Sequence, residues 1–254
     1  MKSCIAVLTR GYENKEKYSM LIIRNKCIEK RLEDKSIHLL FFHEGNITEE
    51  HQEYIKSFTP SLQMIFINIQ KDNLAWRKEK EEVHKEKSVN FNNNVNYKHM
   101  CSFWFIDFWN FVKEYDYLMR IDEDCFVEFS IDSAFTSMIN RKSVIEYGMW
   151  IGDHYKFCKD MEVETKKSLG KHSPMFPSGP YTNIILFNLN SLLNNTLLHK
   201  YIKDIDNSNG IYIYRWGDLP LWGEVIKVIY QDKLCYLSRE IKYYHDSHKM
   251  KVNM

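Results

Sequence analysis

The chain has 254 residues, of which 44% are hydrophobic and 15% aromatic, so it carries enough apolar material for one large α/β domain. With nine glycines and five prolines, it is neither collagen-like nor of low complexity. A formal net charge of +1 argues against a general nucleic-acid or membrane-surface binder, so a charged ligand would have to be met by a local cluster of side chains.

The six cysteines are spread along the chain without a C-x-x-C pair, a pattern typical neither of a zinc site nor of a small disulfide-bonded domain. We therefore expect reduced, half-buried thiols. The apolar run near the N-terminus is too short for a signal peptide, and no stretch approaches the ~20 apolar residues that span a bilayer. The sequence thus predicts a soluble cytoplasmic protein without a membrane span.

The first part of the chain alternates short apolar runs with amphipathic segments. Strands are predicted over residues 4–8, 38–42 and 63–69, and helices over residues 15–31 and after Thr48, which is expected to cap its helix. A β-α-β-α-β opening of this kind favours helices packed against a largely parallel sheet.

The middle of the chain begins with a charge run over 78–87 and an asparagine-rich stretch over 90–96, predicted to be a solvated helix and a loop. Residues 97–114 are predicted to be helical, with a broad aromatic face that packs into the core. Over residues 115–127 a strand leads into an acidic cluster and a second strand-like run follows. The remaining elements are predicted as strands over 143–151 and 183–189 and helices over 192–202 and 219–228.

Asp122 and Asp124 flank one residue at the end of a predicted strand, so in an extended segment their carboxylates point to the same side. Two carboxylates so close repel each other, which favours a bound divalent cation or a raised pKa. Oxygen ligands suit Mg²⁺ or Mn²⁺, and open α/β sheets bind ligands at the carboxyl ends of their strands. The alternative is a surface ion-pair patch formed with Arg120 and Glu123.

Four segments occur in order: YKHMC at 97–101, YDYLMRIDED at 115–124, GIYIYRWGDLP at 210–220 and YYH at 243–245. They resemble the Y-x-x-M-C, Y-D-Y-x-x-R-V-E-P-D, G-x-Y-x-x-R-W-G-D-x-P and Y-x-H segments of the fungal α-1,2-mannosyltransferases, the Kre2/Mnt1-like group of glycosyltransferase family 15 type. The resemblance implies a GT-A-type α/β fold with a mixed, mostly parallel sheet flanked by helices. It also implies a nucleotide-diphosphate-sugar donor, a divalent metal and retention of anomeric configuration.

The resemblance implies ligands for the metal and for the nucleotide. Asp122 and Asp124 stand where the family has Glu and Asp at its metal site, and His245 stands where it has a metal-ligating His. Thr9 and Arg10, at the tip of the first strand, stand near the family's nucleotide-contacting loop and are expected, with Asp122, to bind the donor. For Arg10 the alternative is a solvent-exposed side chain.

Arg215, Trp216 and Asp218 belong to the most specific of the four matches and are predicted to shape the sugar and acceptor pocket. Trp216 is expected to stack on a sugar ring of the donor, and Asp218 to accept hydrogen bonds from sugar hydroxyls. Arg215, Asp218 and Tyr97 are the predicted catalytic residues, with Tyr97 reaching the diphosphate or the reacting sugar. The alternative makes Trp216 a core residue and Asp218 a cap of the following helix.

Ile185 marks a departure from the family. When Asn183 is used to align this strand with that of the family, Ile185 stands at the position where the family carries a Glu that has been proposed as the nucleophile. Isoleucine can neither attack carbon nor move a proton. Three alternatives follow: a front-face retaining mechanism in which the leaving phosphate helps deprotonate the acceptor, a carboxylate supplied by Asp218, or binding of sugars without catalysis.

The sequence therefore predicts a retaining glycosyltransferase that uses Mn²⁺ or Mg²⁺ and moves a sugar, with mannose from GDP-mannose favoured, to a hydroxyl of a glycan or glycoprotein. A UDP-sugar donor is one alternative, and a non-catalytic carbohydrate- or nucleotide-sugar-binding protein is another. A two-metal nuclease or phosphatase would need further carboxylates at matching strand ends. We expect one domain over 1–254, with a nucleotide-binding half over 1–127, an acceptor and catalytic half over 128–254, and no nucleic-acid partner.

Overall fold

The structure is a computed structural model that describes residues 2–89, 95–173 and 177–254. Residues 90–94 of the predicted asparagine-rich loop lie outside this part of the chain. The strands are β1 (Ser3–Leu8), β2 (His38–His43), β3 (Gln63–Asn68), β4 (Tyr117–Ile121), β5 (Cys125–Val127), β6 (Ile145–Tyr147), β7 (Trp150–Gly152), β8 (Ser178–Pro180), β9 (Ile184–Asn188), β10 (Cys235–Leu237), β11 (Tyr243–His245) and β12 (Met250–Val252).

The helices occupy most of the segments between these strands. They are α1 (Ser19–Arg31), α2 (Glu49–Ser57), α3 (Lys78–Lys87), α4 (Val95–Ser102), α5 (Ile131–Arg141), α6 (Met161–Leu169), α7 (Leu189–Leu193), α8 (Thr196–Ser208), α9 (Gly210–Tyr214) and α10 (Asp218–Glu224). One π-helical turn, Phe103–Asp107, continues α4, and another, Val225–Ile229, continues α10. Among the described residues, no helix has both the length and the apolar character that crossing a bilayer requires.

Within the described ranges, a seven-stranded sheet runs in the order β10-β6-β9-β4-β1-β2-β3. β1 is parallel to β2 and β4, β2 is parallel to β3, and β6 is parallel to β10. β9 lies antiparallel between β4 and β6. The predicted mixed, mostly parallel sheet flanked by helices is therefore confirmed.

The sheet separates two hydrophobic cores. Because successive side chains of a strand point to opposite faces, Cys4 and Ala6 of β1 join one core while Ile5 and Val7 join the other. The first core holds the aromatic side chains of the 97–114 segment, which pack against Trp222 of α10. The aromatic face therefore packs into the core, as predicted. This packing supports the helices that carry part of the candidate site.

Local hydrogen bonds explain where several elements begin and end. Thr48 caps α2 as predicted, since its hydroxyl accepts a hydrogen bond from the backbone N–H of His51. The helix predicted over 192–202 is instead two helices, because Asn195 caps α8 by accepting from the N–H of Leu198. The strand predicted over 143–151 likewise divides into β6 and β7.

Candidate active site

The carboxyl ends of the neighbouring strands β1 and β4 lie at the same edge of the sheet. Beside them is a small sheet in the order β12-β11-β5, in which Cys125 stands opposite His245. This register brings Asp124 Oδ2 to 3.2 Å from His245 Nε2. Asp124, Cys125 and His245 form a cluster of metal-type ligands in the described part of the chain, and we call it the Asp124–His245 cluster.

The Asp124 carboxylate is held by two donors. His245 contacts it as above, and the backbone N–H of Ser247 donates to Oδ2 at 3.2 Å. Burial by itself raises the pKa of the Asp124 carboxyl, but the hydrogen bonds from His245 and Ser247 outweigh burial and hold this pKa well below its usual range. An ionised carboxylate is the form that binds a cation.

Asp122 lies next to this cluster but has other partners. The chain turns between Asp122 and Cys125, with the Cys125 N–H donating to the Asp122 carbonyl at 3.2 Å, so the two carboxylates are not same-side neighbours of an extended strand as predicted. The Asp122 carboxylate accepts from Arg120 at 2.8 and 3.1 Å and from Asn183 Nδ2 at 3.1 Å. Asn183 Nδ2 lies 3.5 Å from His245 Nε2 and so links Asp122 to the Asp124–His245 cluster.

The donor atoms fit a divalent cation such as Mn²⁺. Asp124 offers carboxylate oxygen, which suits Mg²⁺ and Mn²⁺, and the imidazole of His245 shifts the preference toward a transition metal. Asn183 Oδ1 is buried without a hydrogen-bond partner among the described residues, which leaves a further oxygen acceptor beside the cluster. Burial raises the pKa of the Cys125 thiol well above its usual value, so this sulfur stays protonated and is a poor ligand.

A cavity of about 400 Å³ opens beside the cluster, within the range of small-molecule sites. Thr9, Arg10, Trp76, Met100, Glu123 and Asp124 are among its lining residues. Thr9 donates to Glu123 at 2.8 Å and is buried, whereas Arg10 is exposed and donates to the Tyr12 hydroxyl at 3.1 Å. The structure thus brings Thr9 and Arg10, two of the four predicted donor-binding residues, to the cavity that Asp124 also lines.

Arg120 connects Asp122 with Asp218 of the 210–220 segment. Its guanidinium donates to Asp122 at 2.8 Å and to Asp218 at 2.6 Å, and lies 4.5 Å from the centre of the Trp104 ring. The alternative predicted an ion-pair patch at the surface; the Arg120–Asp122 ion pair is present, but Arg120 is only 3% exposed, so the pair is buried. The alternative role of Asp218 as a helix cap is also wrong, because the N-cap of α10 is Gly217.

The structure brings Arg215 and Tyr97 together. The Arg215 guanidinium lies 4.4 Å from the ring centre of Tyr97 and 4.1 Å from that of Phe157. Arg215 adopts a left-handed backbone conformation at the end of α9, with φ of 78°, and its Nη1 is buried without a hydrogen-bond partner in the described structure. A guanidinium held between two rings with an unused N–H is a ready donor to an anionic or hydroxyl group.

Trp216 is placed differently from its predicted role. Its side chain is 1% exposed, its Nε1 donates to the Lys159 carbonyl at 2.8 Å, and its ring fills the space where a Cβ on Gly210 would stand. A ring so enclosed cannot stack on a sugar. The prediction that Trp216 binds the donor is therefore corrected, and its place is that of the core residue given as the alternative.

Ile185 is fully buried on β9, opposite Arg120 in the β4–β9 register, and belongs to the aromatic core. The structure therefore puts an apolar side chain at the position where the family resemblance implies a carboxylate. The carboxylate that approaches Arg120 from another element is Asp218 of α10.

Three residues of the site have partners that the sequence did not predict. Glu123 accepts hydrogen bonds from Thr9 and Tyr12. Burial raises the pKa of the Glu123 carboxyl, and these two hydrogen bonds only partly offset that rise. Asn183 bridges Asp122 and His245, and Ser247 binds Asp124. Each has a signal in the sequence: Glu123 stands between the two aspartates, Asn183 stands two residues before Ile185, and Ser247 follows the predicted ligand His245 by two residues.

No protein-family model matches the sequence. The "Probable mannosyltransferase MNT3" of Candida albicans is 27% identical over 175 residues, which cover 62% of this chain and 46% of that protein. The "Glycolipid 2-alpha-mannosyltransferase" of Saccharomyces cerevisiae is 23% identical over 274 residues, covering 96% of this chain and 60% of that protein. The chain thus spans about half the length of the curated relatives it matches.

Among solved structures, core-mannan synthase A (CmsA/Ktr4) of Aspergillus fumigatus in its Mn/GDP form has a TM-score of 0.79 to this chain. The match is 18% identical in sequence and covers 97% of this chain and 75% of that one. At this identity the match establishes the fold. The structural neighbours establish the GT-A fold, and the sequence relatives to which this chain is similar are fungal proteins named as mannosyltransferases, in agreement with the resemblance of its sequence motifs.

Proposed function

We propose that this chain is a metal-dependent glycosyltransferase that moves mannose from GDP-mannose to a hydroxyl of a glycan or glycoprotein, with retention of configuration. The observation that carries the proposal is the 3.2 Å approach of Asp124 to His245 at the mouth of a cavity lined by Thr9 and Arg10. The sequence relatives are named as mannosyltransferases, and one structural neighbour is in an Mn/GDP form; both findings support the proposal.

Asp124 and His245 would hold the cation, with Asp122 and Asn183 beside them. When bound, a divalent cation supplies positive charge that stabilises the departing diphosphate. Arg10 lies at the cavity and presents a guanidinium that can pair with phosphate in a bidentate manner. Of these residues, Asp124 and Arg10 line the cavity, and we therefore assign their end of the cavity to the nucleotide diphosphate.

We assign Arg215, Tyr97 and Asp218 to the sugar; in the described part of the chain they are not among the residues that line this cavity. The unused Nη1 of Arg215 supplies a donor to the diphosphate or to a sugar hydroxyl, and Tyr97 stacks on this guanidinium. The Asp218 carboxylate, oriented by Arg120, accepts hydrogen bonds from a sugar hydroxyl. Because Ile185 offers no nucleophile, we infer a front-face retaining mechanism, in which the leaving phosphate helps deprotonate the acceptor.

Thermal unfolding with GDP-mannose or UDP-glucose, each with and without Mn²⁺, tests the binding part. A ligand at ~100 times its Kd adds about 2.7 kcal/mol, which for a chain of this size is a shift of roughly 5 to 10 °C. We expect a Mn²⁺-dependent shift with GDP-mannose that Asp124→Asn abolishes. Asp232→Asn, an exposed carboxylate near the far sheet edge, is the control and should respond as the wild type. No shift of the wild-type Tm with either ligand would refute the proposal. A shift with UDP-glucose alone would mean that the donor is a UDP-sugar and not GDP-mannose.

A second candidate function is binding of nucleotide sugars without transfer, and the buried Ile185 favours it. Turnover separates the two functions. With Mn²⁺, GDP-mannose and methyl α-mannoside as acceptor, the transferase hypothesis expects release of GDP and a disaccharide, and Asp218→Asn should slow release by ~10²-fold or more. Binding with no product from a panel of mannoside acceptors would select the second candidate.

A further inference from the structure

Behind the Asp124–His245 cluster, one tyrosine hydroxyl lies between two imidazoles. The Tyr181 hydroxyl is 2.7 Å from His245 Nδ1 and 2.5 Å from His248 Nδ1. The rings of His245 and His248 are 4.5 Å apart between centres, and the Tyr181 ring stacks on His248 at 22°. Tyr181 and His245 are buried while His248 is exposed, so the hydrogen bonds lead from the cluster to the surface.

The turn after β11 places His248 in this position. The Lys249 N–H donates to the Asp246 carbonyl at 3.0 Å, which closes a turn over residues 246–249, and Lys249 is left-handed with φ of 48°. The Asp246 N–H donates to the Asp124 carbonyl at 3.0 Å. The same turn is therefore hydrogen-bonded to Asp124 and also places His248 beside the Tyr181 hydroxyl.

The number of available protons sets the direction of these hydrogen bonds. A neutral imidazole carries one N–H and a tyrosine hydroxyl carries one proton. Without a cation, Nε2 of His245 donates to the Asp124 carboxylate and Nδ1 accepts from the Tyr181 hydroxyl. If Nε2 of His245 instead binds a cation, the His245 proton is on Nδ1 and is donated to the Tyr181 oxygen. The tyrosine proton then goes to Nδ1 of His248, whose own proton stands on Nε2.

We propose that Tyr181 and His248 are positioning residues of the metal site: they form a hydrogen-bond relay that holds His245 in the tautomer that presents the Nε2 lone pair to the cation. The proposal rests on the proposed metal-dependent function. His248 acts through Tyr181 from outside the site, and Tyr181 acts through His245. Loss of such an outer partner of a ligating imidazole typically weakens metal binding by ~10- to 100-fold.

Binding of Mn²⁺ alone, measured by titration calorimetry without nucleotide, tests the relay. Tyr181→Phe keeps the ring and should raise the Mn²⁺ Kd by ~10- to 100-fold. His248→Ala should also raise it, because the freed tyrosine proton then turns to Nδ1 of His245 and forces the His245 proton onto Nε2. The double variant should be no more than ~2-fold weaker than Tyr181→Phe, since both act through one hydroxyl. Additive losses would overturn the relay.

Tyr243→Phe is a matched control, because Tyr243 lies on the same strand as His245 and its buried hydroxyl has no hydrogen-bond partner among the described residues. We expect its Mn²⁺ Kd to equal that of the wild type. A loss as large as that of Tyr181→Phe would mean that any buried hydroxyl near β11 matters, and would overturn the specific role of Tyr181.

Failure of the relay is distinguishable from failure of the proposed function. If the wild type binds Mn²⁺ and both relay variants bind it equally well, the relay is wrong and the metal site stands. If the wild type binds no Mn²⁺, the proposed function fails. The hydrogen bonds themselves can then be tested by the ring ¹⁵N NMR shifts of His245 in metal-free, histidine-labelled protein. Shifts that Tyr181→Phe leaves unchanged would overturn the relay too.

Discussion

Replacing Arg120 by methionine removes a buried cation that two carboxylates share. The guanidinium donates to Asp122 at 2.8 Å and to Asp218 at 2.6 Å, and it packs over the Trp104 ring. Methionine has a long flexible side chain that fills much of the vacated space. The main consequence of Arg120→Met is therefore electrostatic, because the carboxylates lose their counter-charge.

Removing one partner of a buried ion pair costs about 3 to 5 kcal/mol, because the other charge stays buried and uncompensated. The side chain of Asp218 is 6% exposed and bears most of this loss. The side chain of Asp122 is 23% exposed and keeps its hydrogen bond from Asn183, so its share is smaller. We expect Arg120→Met to lower the free energy of unfolding by ~3 to 5 kcal/mol, which lowers Tm by roughly 6 to 20 °C.

Urea unfolding followed by tryptophan fluorescence measures this loss. Adding Asp218→Asn to Arg120→Met should recover part of it, on the order of 1 to 2 kcal/mol, because it removes the uncompensated charge. Arg239→Met changes an exposed arginine and should stay within ~0.5 kcal/mol of the wild type. A loss below ~1 kcal/mol for Arg120→Met, or no recovery in the double variant, would refute this electrostatic reasoning.

Three further predictions concern other buried positions. Burial, and next to it the nearby Arg215, lower the pKa of the Lys98 amine to about 8, so the fold disfavours its charged form. Below pH 8 the Lys98 amine is charged in the folded and the unfolded chain, so the loss of folding stability caused by burying this charge is fully present. As pH rises from 8 toward the pKa of the amine in the unfolded chain, the folded amine becomes neutral and this loss is relieved. Urea titrations should therefore show the wild type gaining stability relative to Lys98→Met between pH 7 and 10, and a relative loss would contradict this. Ile185→Glu should cost ~3 kcal/mol or more and add no GDP-mannose turnover, because it buries a carboxylate in the core, whereas a faster variant would contradict this. Gly223→Ala would put a Cβ 1.8 Å from a backbone oxygen and should lower Tm by more than Gly170→Ala, whose Cβ meets nothing within 4 Å. Because Gly170→Ala already strains a left-handed backbone with φ of 75°, equal losses in calorimetry would show that crowding at Gly223 costs no more than that strain and would contradict this prediction.

Much of the architecture follows from local sequence pattern. Alternating apolar runs and amphipathic segments predicted β1, α1, β2, α2 and β3 in order, because the period of the hydrophobic residues depends only on near neighbours in the chain. Where local signals competed, the prediction failed: Asn195 caps α8 and divides one predicted helix into two.

Other features depend on strand register and on which layer a residue joins, and these are set by contacts between distant parts of the chain. The resemblance named Asp124 and His245, but the 3.2 Å contact between them arises only when β5 pairs with β11. The 210–220 segment left two interpretations of Trp216 open, and the burial of its ring against Gly210 shows that it is a core residue.

The sequence by itself determined the fold class, the order of its first strands and helices, and the short list of polar residues from which a site is built. Only the tertiary structure decided that Asp122 pairs with a buried Arg120, that Asp218 meets the same guanidinium, and that Tyr181 joins two histidines. Hydrophobic periodicity is a local property and can be read along the chain. The partner of a buried charge or hydroxyl is a non-local property, because it depends on which distant group folding brings within hydrogen-bond distance.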